Sequence, residues 1–173
     1  MQLYLDSALQ RFRSYYDMGT KTIERLDASQ LHWQPQGEPN SIAMLVKHLR
    51  GNMLSRWTDF LTSDGEKRDR HRDEEFEEDQ ASKETILQRW HEGWDCLLKA
   101  VGSLTPDDLE KTVYIRAEAH SVLDAINRQM THVPYHVGQM VYIGKMILGE
   151  NWQSLSIPKG QSEAFNKEKF GNK

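Results

Sequence analysis

The chain has 173 residues, 38% of them apolar, a length that suits one domain rather than several. With the 11 glycines counted, the apolar share reaches about 44%, close to that of soluble globular chains, so a packed core is expected and disorder is not. Lys and Arg number 22 against 26 Asp and Glu, a formal charge of −4, without the basic excess that phosphate contacts demand; nucleic-acid binding is disfavoured.

No run approaches the roughly 18 to 20 apolar residues needed to cross a bilayer. Asp6 interrupts the start before a signal-like apolar run forms. The expectation is a soluble, cytoplasmic protein with no membrane partner. The single cysteine, Cys96, excludes an internal disulfide and the Cys-rich zinc motifs. Any metal site must therefore be built from His and carboxylates.

In chain order, Leu5, Ala8, Leu9, Phe12, Tyr15, Tyr16, Ile23 and Leu26 recur at spacings of mostly three and four, predicting an amphipathic helix over 2–26. Pro35, Gly37 and Pro39 break the following segment, 27–40, into a connecting loop. Ser41, or Asn40 before it, caps a second helix whose inward stripe is Ile42, Leu45, Val46, Leu49, Met53, Trp57 and Phe60, with His48 and Asn52 beside it. Residues 64–79 carry nine acids and four Lys or Arg, leaving the rest of the chain near +1. Burying unpaired charge is unfavourable, so this run is expected to be a long solvated loop.

Ser82 caps a third helix with Ile86, Leu87, Trp90, Trp94, Leu97, Leu98 and Val101 facing inward and Cys96 among them as a small hydrophobe. Pro106 opens a short turn. TVYIRAE alternates like a strand, but one short run cannot make a sheet and is read as extended loop. A fourth long helix starts near His120 or Ser121 and ends at Leu148 before Gly149, with a kink or loosened turn expected at Pro134. The fold class is thus all-α: a four-helix bundle over 1–150, with residues 151–173 as a C-terminal tail on its surface, anchored by isolated apolar residues such as Trp152 and Phe165.

The sharpest pattern for chemistry is His132-Val-Pro-Tyr-His136. Two histidines four apart share a helix face, so both imidazoles can converge on one cation. A third ligand has to come from a facing helix, and His48 qualifies because it adjoins Leu45 and Leu49 on the second helix. With seven histidines in the chain, such a pair also arises by chance; Pro134 between the two adds weight, since strain is retained where a site is being shaped. Val133 stands where a zinc peptidase carries glutamate. His91-Glu92-Gly93-Trp94-Asp95 lacks the second histidine, and no nucleotide loop or hydrolase elbow occurs. His32, His71, His91 and His120 lie in loops, near segment ends or among charges and are read as solvated rather than ligating.

The order of His48, then His132 and His136 followed by Gly138-Gln139 and an apolar run, resembles the DinB-like superfamily. Segments 51–67, 72–76, 125–145 and 152–162 resemble one bacterial branch of it, small proteins of unknown function. The resemblance covers most of the chain. It implies a four-helix bundle, often a homodimer, with a divalent metal held by His48, His132 and His136. It further implies a possible metal-dependent transfer of a low-molecular-weight thiol of the bacillithiol type to an electrophilic substrate.

That chemistry suits three imidazoles, because a coordinated thiol ionises near neutral pH. Zinc or nickel is the expected metal, with iron as a further candidate. Helix spacing nominates Asn52, four after His48, Arg128, four before His132, and Gln139, three after His136, as substrate-binding neighbours. The alternative expectation is a non-enzymatic metal-binding or stress-response interaction protein whose cation staples two helices. A third is a bundle whose histidines bind nothing.

Overall fold

A computed structural model describes residues 1–34 and 40–171. The breakers Pro35, Gly37 and Pro39 lie outside the described residues. The chain is mostly helical. Its helices are α1 (Gln2–Glu24), the single-turn α2 (Ala28–Leu31), α3 (Ile42–Trp57), α4 (Lys83–Gly102), α5 (Val122–Leu148) and α6 (Ser162–Phe170). A two-stranded antiparallel sheet, β1 (Thr112–Ile115) with β2 (Glu118–Ser121), precedes α5.

The four long helices are those read from the apolar periodicity, and each packs against two others: α1 on α4 and α5, α3 on α4 and α5. Capping follows the sequence closely. Ser41 accepts the amide of Met44, Ser82 that of Thr85 and Ser121 that of Asp124, each satisfying a donor the first turn leaves open. The buried side chains form one cluster running from Leu5 and Phe12 through Leu49, Trp90 and Trp94 to Val137 and Met140. Gly93 lets α4 approach α3 closely, since a Cβ there would sit 2.9 Å from the Arg50 Cα.

Three expectations need correction. The connection after α1 is not loop throughout: Asp27 and Gln30 form a capping box that starts α2. TVYI is a strand, so the chain is not purely α; its partner is the adjacent Glu118–Ser121, with Thr112 opposite Ser121 and Ile115 opposite Glu118. The two-residue turn between them, Arg116-Ala117, has φ of 55° and 62°, the left-handed pair that a twisted hairpin requires. The Asp64 carboxylate accepts both turn amides at 2.8 Å, which holds two non-glycine residues in that conformation.

The charged segment is not simply solvated either. It folds back on α3, where a short 3-10 turn at Asp73–Phe76 packs, and Glu75 is only 6% exposed. α5 runs as one helix through Pro134. Beyond Gly149, the tail is pinned where the Trp152 ring lies over Gly144 and under the Arg25 guanidinium; its short helix α6 buries no side chain. No described helix is long and apolar enough to cross a membrane.

Candidate metal centre

His48 sits on the inward face of α3 between the buried Leu45 and Leu49 and is 4% exposed. The packing of α3 on α5 turns it toward His132 and His136, one turn apart on α5. His136 is buried and His132 half-buried. The three imidazoles offer ligand atoms all within 4.8 Å of one another. His132 Nε2 lies 3.2 Å from His48 Nε2 and 3.1 Å from His136 Nε2. A cation about 2.0–2.1 Å from each nitrogen in a tetrahedral set would hold them roughly 3.3 Å apart. The donor set therefore fits a divalent metal in type, and the two spacings to His132 match that geometry.

Proton bookkeeping around the cluster supports the same fit. Glu75 Oε2 stands 2.8 Å from His48 Nδ1. Burial pushes this carboxyl upward, but hydrogen bonds from His48 and Arg70 hold it below the usual carboxylate range, so it is ionised and Nδ1–H must donate. That leaves the His48 Nε2 lone pair facing the cluster. Gln139 Oε1 lies 3.3 Å from His136 Nδ1, which assigns the same tautomer to His136. Two lone pairs then converge on His132 Nε2, and one N–H cannot serve both in line, whereas a cation serves all three. Burial, followed by repulsion from neighbouring imidazoles, pushes His132 down to about 3 and His136 to about 4. Both are neutral at pH 7, the form that ligates.

Behind His48 the support is layered. Arg70 donates to both Glu75 oxygens, at 2.8 and 2.9 Å, and also to Glu66. The Glu75 carboxylate comes close to α3 only because residue 51 is glycine; a methyl there would overlap it. A carboxylate on the remote ring nitrogen fixes the tautomer and raises the basicity of the ligand.

In front of the histidines lies a cavity of about 640 Å³, within the roughly 300–1,000 Å³ usual for small-molecule sites. Asn52 and Arg128 line it. Gln139 is not among the lining residues and instead meets His136 from behind. The reading by spacing missed Arg56, Gln129 and Tyr135, which also line the cavity. Arg56 continues the 48, 52, 56 face of α3 and Gln129 precedes His132 by three, so helix periodicity held a signal for both. Arg116 reaches the cavity from the hairpin turn, and Arg70 and Arg72 reach it from the charged segment; no local pattern pointed to them.

The other histidines stay apart from the cluster. His71 is exposed. The remaining three are hydrogen-bonded rather than solvated: His32 to the Ala81 carbonyl, with Glu78 close to its other nitrogen, His91 to the Tyr16 hydroxyl, His120 to Asp124. Cys96 is half-buried, beside the Met53 carbonyl and Thr58.

Fold and site together define a mostly helical protein with a three-histidine set able to hold a metal ion. By sequence, the chain belongs to the family described as protein of unknown function DUF1572, which it matches over residues 1–161. That span takes in the three histidines, Glu75 and every arginine of the cavity. No curated protein matches the sequence.

Proposed function

We propose that the protein is a metal-dependent catalyst on a DinB-like four-helix bundle, with His48, His132 and His136 holding one divalent cation, zinc, nickel or iron, at the floor of the cavity. The observation that carries this reading is the convergence of three imidazole Nε2 atoms, 3.1 and 3.2 Å from the central one, at the edge of a space large enough for a substrate. A cation held by three neutral imidazoles supplies Lewis acidity, lowering the pKa of a thiol or water that reaches its open position. Thiol transfer to an electrophile is the reaction the resemblance favours.

The chain's own groups have separable tasks. Glu75 and Arg70 fix the His48 ring, burial keeps the α5 histidines unprotonated, and Asn52 and Arg128 present polar groups to whatever occupies the cavity. The alternative, a structural staple between α3 and α5, would close the coordination shell with protein; the bordering cavity favours the catalytic reading. By the same resemblance, the working form is a cytoplasmic homodimer.

Elemental analysis of tag-free protein tests the site. About one divalent ion per chain is expected in the wild type and none in His136→Ala, and equal metal content in the two would reject the centre. Loaded protein incubated with a low-molecular-weight thiol and an electrophilic acceptor should then consume both faster than the His136→Ala variant does.

A further inference from the structure

The cavity in front of the histidines is strongly cationic in a chain whose net charge is −4. Its lining contains five arginines, Arg56, Arg70, Arg72, Arg116 and Arg128, and no carboxylate. Three of these are matched: Arg70 by Glu66 and Glu75, Arg116 by Glu66, Arg72 by Asp73. Arg56 and Arg128 have no carboxylate partner among the described residues. Arg56 is half-buried and, among the described residues, donates only to the Gly65 carbonyl, at 3.3 Å. Burial, and then the nearby Arg128 guanidinium, push Arg56 below its ordinary value. Two like charges facing one partly desolvated space are unfavourable unless an anion joins them.

A second observation concerns residues of the same lining. Asn52 Oδ1 and Gln129 Nε2 are buried without any hydrogen-bond partner, in side chains 8% and 2% exposed, and both residues line the cavity. Buried polar groups are rarely left unpaired, and one acceptor and one donor in the same lining suit a ligand carrying both. The third observation is the hairpin turn: Arg116 is kept in a left-handed conformation by Asp64 at the cavity rim. Backbone strain of this kind persists where surrounding contacts over-determine it.

We propose that the cavity recognises an oxyanion, a carboxylate or phosphate group of a small polar substrate, with Arg56 and Arg128 as its receptors and Asn52 and Gln129 reading a neutral polar group of the same molecule. Arg116 closes the rim. This inference rests on the metal-site reading only for the direction of the ligand: its anionic end lies on the arginines and its reacting end toward the histidines. The arginine pair works without the cation.

The test is calorimetric titration of the full chain at low salt, metal-loaded and after chelation, with succinate, inorganic phosphate and the neutral succinamide as probes. Succinate or phosphate should bind at least about tenfold more tightly than succinamide, and whichever anion binds better names the source. Arg128→Gln, at an exposed position, should weaken that anion about tenfold or more while leaving metal content and melting temperature unchanged. Arg56→Lys should retain part of the affinity that Arg56→Gln loses. The His136→Ala protein should keep anion binding within a few-fold.

Anion binding that disappears with the metal and survives both arginine substitutions, or equal affinity for succinate and succinamide, would overturn the proposal. Absence of metal from the wild type would instead overturn the metal centre, with the anion result still readable.

Discussion

Glu75→Gln separates the charge of one carboxylate from its shape. The amide fills the same space beside Gly51 but cannot hold the His48 Nδ1 proton as an anion does, so metal affinity should fall about 10- to 100-fold, the usual cost of losing such a partner. Competition with a chromophoric chelator reads this directly, and unchanged affinity would show that Glu75 merely packs. Gly51→Ala acts on the same contact from the other side. Its methyl would displace the carboxylate, so both metal affinity and stability should drop, the latter by about 1–3 kcal/mol in denaturant melts. The three histidines themselves were legible because helix spacing fixes their face: the α5 pair stands four positions apart, and apolar neighbours mark the inward side of α3. Glu75 and Arg70 were not. They sit in a run of nine acids and four bases, and nothing local distinguishes the two that turn inward from those that stay in water. The arginine cavity was half legible, since Arg128 and Asn52 follow from spacing while Arg116 depends on a turn that brings a distant segment over the site.

Among the elements, the hairpin is where the sequence reading fell short, and the reason is local. TVYI has strand character, but its partner EAHS has none of the β-branched residues that mark one, and Arg-Ala replaces the Asn-Gly or Asp-Gly that announces a tight turn. Asp64, some fifty residues earlier, supplies what the turn lacks by accepting both of its amides. Ala117→Gly should therefore stabilise the fold by about 1 kcal/mol, the cost of holding an L-residue at positive φ, with urea melts as the measurement; a destabilised variant would mean the turn is not strained. Asp64→Ala should act in the opposite direction and also loosen Arg116 at the rim. The long helices were legible for the converse reason. Their apolar stripes extend over four or more turns, and α3, α4 and α5 are each opened by a serine cap, so local preference and tertiary burial agree.

At the scale of the whole molecule, the neutral histidines couple stability to pH. In the unfolded chain His132 and His136 titrate near 6.5, whereas folded they are held down to about 3 and 4 by burial first and by neighbouring positive charge after it. Between those limits the unfolded state binds more protons. Stability of chelated protein should be complete above pH 7 and fall as pH drops from about 6.5 toward 4. Melting temperatures at pH 7.5 and 5.0 check this, with His132→Ala expected to flatten the dependence. The loaded protein should keep its metal to lower pH, releasing it only near 4 and below, where protons begin to compete for the nitrogens of the folded site. The tail obeys a different logic. Trp152, wedged against Gly144 and beneath Arg25, is its firm attachment, and α6 beyond it rests on nothing buried. Lys159 is exposed between the two. Brief trypsin digestion should thus trim the chain there to a fragment that keeps its tryptophan emission and its thermal transition. Shortening the gene to end at Leu148 would strip the indole from its seat and lay the flank of α5 open to solvent, inviting aggregation where the clipped product stays soluble.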